Sequence, residues 1–239
     1  AKGLSIGLDI PFIGINHMEG HLFANSIGKN RIKDPYICLL ASGGHTQIWK
    51  VNKEEYKLIS DSVDDAAGEA FDKSAKILGL PYPGGPQIDK YAKNGNIRAF
   101  TFGKPKINDL DFSFSGLKTS ILYTIQAGIK ENTNFIAENR HDLCASIQHS
   151  IVIILVDKLE KAIEKTGINQ IAIAGGVSAN SYLRKQLEIL AAKENFDLYI
   201  PKFEYCTDNA AMIAIAGYFK FIDKDFATQS ESPSARLLF

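Results

Sequence analysis

The chain has 239 residues, 45% hydrophobic and 23% charged, with 27 basic and 27 acidic side chains and so no formal net charge. That length and balance fit one large globular domain or two small ones and exclude a polybasic nucleic-acid binder; any contact with RNA must use a local patch or a partner's charge. The three scattered cysteines, Cys38, Cys144 and Cys206, argue against a disulfide framework and a Cys-x-x-Cys zinc site, and the longest apolar run, Ile151 to Val156, is too short to span a bilayer. Asp9 and Pro11 interrupt the first apolar stretch, so no signal peptide is read there, and a cytoplasmic, reducing compartment is expected.

In chain order, residues 1–10 read as the tail of a helix that Pro11 stops, and Phe12–Asn16 as a short strand. Helical spacing returns over His17–Ile27 and ends at Gly28. Pro35–Ser42 and His45–Val51 read as strands joined at Gly43-Gly44, a hairpin signal, and Glu54–Ser60 as a third strand. Asp65–Leu78 is a predicted helix, with Asp64 and Asp65 suited to its N-terminus as caps and against the helix dipole. Pro81–Pro86 reads as a Pro/Gly loop and residues 95–113 as irregular. Helices follow over Ser115–Gly128, where Ser115 is the expected cap, and Ala137–Thr166. A buried strand, Ile171–Ala174, runs through Gly175-Gly176 into a helix over Ser178–Asn195, with Ser178 as cap. Leu198–Ile200 is a strand, Asp208–Phe221 the last helix, and Thr228–Phe239 an irregular tail. Early hairpin strands followed by strand–helix alternation predict an α/β protein with a mixed sheet and flanking helices.

Several segments carry possible chemistry. In His17-Met18-Glu19-Gly20-His21 the histidines stand at i and i+4 on one helical face, so both imidazoles can meet one cation and leave positions open. The alternative is a pair of partly exposed helical histidines. The zincin pattern His-Glu-x-x-His is not met, because Glu19 is two residues after His17. In Leu40-Ala41-Ser42-Gly43-Gly44-His45-Thr46, glycines at a strand–turn–strand corner let backbone N–H groups approach an anion; an ordinary hairpin turn is the alternative. In Ala174-Gly175-Gly176-Val177-Ser178-Ala179-Asn180, a buried strand meets a helix start, a geometry that suits a nucleotide, with Asn180 able to bond a ribose or base edge; a tight strand-to-helix loop is the alternative. No Gly-x-Gly-x-x-Gly and no Walker lysine are present. In Tyr205-Cys206-Thr207-Asp208-Asn209, Asp208 is a natural N-cap and also the carboxylate that can complete the histidine pair; two histidines and one carboxylate favour non-haem iron, with zinc as competitor.

Asn16–Asn25, Leu40–Ile48, Asp64–Pro86, Phe112–Thr119, Ala174–Arg184 and Cys206–Ile213 together resemble, in order, the TsaD family of tRNA N6-adenosine threonylcarbamoyltransferases, which includes the catalytic subunit of the KEOPS complex. The resemblance implies the actin-like ATPase-domain superfold and transfer of a threonylcarbamoyl group from threonylcarbamoyl-AMP to N6 of adenosine 37 in tRNAs reading ANN codons. It implies His17, His21 and Asp208 as ligands of one divalent metal, Fe2+ ahead of Zn2+. It implies Leu40, Ala41, Ser42, Gly43 and Gly44 at the phosphate and carbamoyl end, and Asp72, Gly85, Asp89 and Asn180 around the nucleotide. TsaB-like and TsaE-like partner proteins, a homodimer and no membrane are expected with it. Residues 1–35 and 205–239 would belong to the first actin-like lobe and 36–204 to the second.

The resemblance also has a gap. The acidic phosphate-facing loop of the family's first strand pair (Gly-Ile-Glu-Thr-Ser-Cys-Asp-Glu-Thr-like) has no counterpart here, so a truncated first lobe with bare apolar surface is expected. Two other functions compete with transfer. One is a non-catalytic or partly active assembly subunit. The other is a metalloprotease, an older label of the family, against which the missing glutamate beside His17 speaks.

Overall fold

The computed structural model describes residues 1–28, 32–52, 55–105, 107 and 109–234. Five strands form one mixed sheet in the order β3-β2-β1-β4-β5. β1 (Tyr36–Ala41), β2 (Thr46–Val51) and β3 (Tyr56–Ser60) are an antiparallel meander. β4 (Gln170–Ala174) and β5 (Asp197–Tyr199) add on the other side of β1 in parallel.

Alternation along the central strands divides the interior. Ile37, Leu39 and Ala41 of β1, with Ile171 and Ile173 of β4, face the larger cluster. Tyr36, Cys38 and Leu40, with Ala172 and Ala174, face the smaller one. The larger face is covered by α3 (Ala67–Ile77), α4 (Gly84–Ala92), α5 (Ser115–Glu131), the long α6 (Phe135–Thr166) and α7 (Ser181–Glu194). On the smaller face, Leu22 of α2 (His17–Phe23) is fully buried against the sheet, and α2 packs on α8 (Ala210–Ile222). The N-terminal α1 (Lys2–Leu8) leaves Leu4, Ile6 and Leu8 exposed. Among the described residues no helix is long and apolar enough to cross a membrane.

Several expectations are corrected. Phe12–Asn16 is not a strand; Phe12 makes one isolated bridge to Ala227. The third strand begins at Tyr56, and Glu54, placed in it by sequence, lies outside the described residues, as do residues 235–239 of the tail. Pro81–Pro86 is not all loop, because α4 already begins at Gly84. Its first N–H, that of Gly84, donates to Asp72 Oδ1 at 2.6 Å, a cap supplied from another helix.

Asp64 and Asp65 do not cap α3. Its Ala67 N–H donates to Thr46 Oγ1 of β2 at 2.7 Å. Asp64 instead crosses to the start of α5, accepting from Ser113 Oγ at 2.6 Å, Phe114 N at 2.8 Å and Ser115 Oγ at 2.8 Å, so the Ser115 hydroxyl donates to Asp64 and caps nothing. Asp65 pairs with Lys73 at 2.9 Å and Lys118 at 3.0 Å. Burial pushes both carboxyls up, but these bonds outweigh it and hold both below the ordinary value. Ser178 does not cap α7 either: it lies inside a 3-10 turn, and Asn180 is the cap.

Candidate active site

The side chain of Asn16 accepts from Met18 N at 2.8 Å and starts α2 one residue before His17. His17 and His21 then stand one turn apart, ring centroids 5.0 Å apart and nearly perpendicular. Gly20 lets α8 come close: a Cβ there would stand 3.1 Å from Ile213 Cδ1 and 3.3 Å from Met212 Cγ. Glu19 turns away from the histidines, buried with Oε2 3.7 Å from Lys220 Nζ; burial raises its carboxyl pKa although Lys220 opposes the shift. It is not placed as a base beside His17.

Sequence reasoning read Asp208 as the cap of the last helix, and this is corrected by one residue. Asn209 caps α8, accepting from Met212 N at 2.9 Å. Asp208 is thereby left outside the helix, and its Oδ1 lies 3.2 Å from His17 Nε2 and 3.1 Å from His21 Nε2. The three candidate ligand atoms lie within 4.8 Å of one another. His21 is buried while His17 and Asp208 are exposed, so the cluster is closed on one side and open on the other. Burial, then His17, lowers the His21 pKa against the pull of Asp208, which keeps its imidazole neutral and able to donate a lone pair. Its buried Nδ1 has no hydrogen-bond partner among the described residues. Two imidazole nitrogens and one carboxylate oxygen at this separation fit a divalent cation with open positions.

Next to the triad is a cavity of about 540 Å³ lined by residues of α3, α4, the Gly43 turn and the Gly176–Ala179 turn, together with Phe203 and Thr207. Thr207 is the chain neighbour of Asp208, so the two sites adjoin. Two glycines make the walls meet. A Cβ on Gly68 would stand 2.5 Å from Ser42 O, which instead accepts from Gly68 N at 3.1 Å. Gly175 has φ +83°, and a Cβ there would stand 2.4 Å from Ala41 O.

Of the residues expected around a nucleotide, Gly43, Asp72, Gly85, Asp89 and Asn180 line this cavity. Leu40 and Ala41 do not: their side chains are buried on opposite faces of β1 and support the turn from beneath. Ser42 and Gly44 also lie outside the lining. Ser42 Oγ accepts from Gly44 N at 3.3 Å and His45 N at 3.0 Å, so two of the turn's N–H groups are already used. The Gly43 N–H has no partner among the described residues. Asp72 and Asp89 face the cavity but are engaged, Asp72 by Gly84 N and Asp89 by Ser181 Oγ at 2.6 Å. Asn180 has both ends occupied: Nδ2 donates to Gln148 Oε1 at 2.8 Å and Oδ1 accepts from Leu183 N at 2.9 Å. Its first role is to hold the start of α7.

Sequence reasoning missed Lys90, Lys93 and Phe203 in the lining. The lysines' i, i+3 spacing was a usable signal, hidden by reading the preceding segment as loop. Lys118, within the Phe112–Thr119 segment, is paired with Asp65 at 3.0 Å. His141 and His149 are structural, bonded through Nδ1 to Tyr91 O and Tyr182 Oη.

Solved structures share this architecture. Full-length HypF in its phosphate- and nucleotide-bound form matches with a TM-score of 0.64 at 15% identity, over 92% of this chain and 37% of that one. HypF of T. kodakarensis matches with a TM-score of 0.62 at 13% identity, over 92% and 39%. The fold is that of the actin-like ATPase superfold. Within that class, the family model of TsaD, tRNA N6-adenosine threonylcarbamoyltransferase, matches residues 1–215, and the chain belongs to this family. A relative of that description from Christiangramia forsetii is 54% identical over all of this chain and 72% of its own length. Another, from Cytophaga hutchinsonii, is 49% identical over 99% and 69%.

Proposed function

We infer that this chain works in the cytoplasm as the transferase of tRNA threonylcarbamoyladenosine synthesis, moving the threonylcarbamoyl group of threonylcarbamoyl-AMP to N6 of adenosine 37 in tRNAs reading ANN codons. The observation that carries the reading is the junction of two sites at Thr207–Asp208: a cavity of nucleotide size opens beside a His–His–Asp cluster, where the activated carbonyl of an acyl-adenylate must lie.

The residues divide the work. The cavity holds the AMP part, with the Gly43 N–H available to the phosphate. Asp72 and Asp89 fix α4 to its neighbours, and Asn180 fixes α7, so the walls are set before substrate arrives. His17, His21 and Asp208 would hold one divalent metal, iron(II) ahead of zinc, which when bound supplies Lewis-acid stabilisation of negative charge on carbonyl or phosphate oxygen. The adenine N6 forms a C–N bond to the carbonyl carbon as the C–O bond to phosphate breaks. AMP leaves with that electron pair and the N6 proton passes to solvent. No side chain is placed as a covalent nucleophile, and none is required, since the acyl group arrives activated.

Partner proteins of the TsaB and TsaE kinds and a homodimer belong to the same reading and rest on the family resemblance. The test is to incubate the chain, alone and with such partners, with threonylcarbamoyl-AMP, iron(II) or zinc, and unmodified tRNA, and to digest the RNA for mass spectrometry. Threonylcarbamoyladenosine in the digest, lost in His17→Ala, supports transfer. AMP binding without product under every condition would favour the assembly-subunit reading. Proteolysis dependent on His17 would revive the metalloprotease.

A further inference from the structure

The rim of the cavity is built for more than a mononucleotide. Tyr82 is 85% exposed, the highest value for any large apolar side chain among the described residues, yet it lines the cavity. It is also held stiffly. Pro81 and Pro83 flank it, and the following Gly84 N–H is tied to Asp72. The adjoining helix α4 buries Ile88 and Ala92 and turns Lys90 and Lys93 outward, three residues apart on one face. Asp89 anchors that helix to Ser181 of α7. Both lysines line the cavity, and neither has an ion pair among the described residues. The two carboxylates of the lining are already engaged, Asp72 by Gly84 N and Asp89 by Ser181.

A chain with no net charge therefore presents, at one mouth, two uncompensated cations and a rigid exposed ring. A mononucleotide within the cavity leaves the outer ring face unused. An acidic protein would match the lysines but not the ring. Unpaired RNA matches both, because each nucleotide offers a phosphate and a base face to stack.

We propose that Tyr82, Lys90 and Lys93 form the receiving surface for the unpaired loop of the RNA substrate, with Tyr82 stacking a base and the two lysines holding neighbouring phosphates. This rests on the tRNA-modification reading and adds the part of the surface that takes the RNA.

The test uses this chain and a fluorescently labelled anticodon stem–loop RNA, with affinity read by anisotropy over a series of salt concentrations. Tyr82→Ala weakens binding about tenfold, the scale of one lost base–aromatic stack. Tyr82→Phe restores it and Tyr82→Leu does not. The double substitution Lys90→Glu, Lys93→Glu makes the plot of log affinity against log salt shallower by about 2. All variants keep the parent melting temperature, since all three side chains are exposed. If the parent chain binds the RNA but Tyr82→Ala and the double variant bind it equally well with the same salt slope, the rim proposal is overturned and the tRNA reading survives. If neither the parent chain nor its complex with the TsaB- and TsaE-like partners binds the RNA, the tRNA reading itself fails. Competition by polyglutamate as effective as that by unstructured RNA of equal charge would also overturn the proposal.

Discussion

Asp208 Oδ1 lies 3.1 Å from His21 Nε2 although 187 residues separate them in the chain. The contact depends on two small features elsewhere. Asn209, not Asp208, caps α8, and Gly20 allows α8 to pack closely on α2. A ligand set so assembled should lose its metal when any member goes. Purified parent chain, dialysed against iron(II) or zinc, should retain one ion per molecule by elemental analysis. Asp208→Ala and His21→Ala should weaken retention by more than about 100-fold, beyond the loss expected for an outer-shell partner. Full retention by both variants would show that the metal sits elsewhere.

Gly175, directly after β4, lies hard against Ala41 at the end of β1, just before the Gly43 turn. Its φ is +83°, and only 2.4 Å would separate an added Cβ from Ala41 O, which leaves no room for alanine. Gly175→Ala should cost about 1–3 kcal/mol in urea unfolding and weaken AMP binding through the displaced turn. Gly44→Ala, where a Cβ meets nothing within 4 Å, is the control and should leave stability nearly unchanged.

The carboxyl pKa values of Asp64 and Asp65 lie below the ordinary 3.8 in the folded chain. The unfolded chain therefore takes up more protons in acid than the folded one. The stability these groups contribute is present above about pH 4 and is lost as the pH falls through their folded values. Asp64→Asn should lower the urea midpoint at pH 7 and flatten its decline in acid. An unchanged acid decline would mean that Asp64 does not hold the start of α5.

Asn180 serves α7 before it serves any ligand. Asn180→Ala removes a helix cap and leaves the buried Gln148 side chain without this donor, so a loss of about 1–2 kcal/mol in thermal unfolding is expected. Asn180→Asp keeps the cap acceptor and should recover part of it. A variant of parent stability with lost AMP affinity would instead make Asn180 a direct nucleotide ligand.

The reach of the sequence can be judged from these residues. The strand pattern of Tyr36–Val51 and the spacing of His17 and His21 are local periodicities, so they were legible. Asp208 was legible as a candidate, but its competing reading as a cap could be resolved only by which of two adjacent side chains turned back onto the helix. The exchange of caps was not legible. Asp64 sits three residues before its own helix begins yet binds the start of α5, and the α3 start is held by Thr46 of a strand. Such partners are chosen by packing across the molecule, where local propensity carries no information. The cavity rim was hidden for a related reason. A Pro-Gly-Gly-Pro segment reads as loop, while a carboxylate from another helix lets α4 begin inside it.

The most direct test of the central claim is diffraction from crystals of this chain soaked with AMP and zinc, with anomalous data collected at the zinc edge. One anomalous peak is expected among His17 Nε2, His21 Nε2 and Asp208, with AMP in the cavity and its phosphate at the Gly43 turn. Zinc bound away from those three residues, or AMP bound outside that cavity, would contradict it.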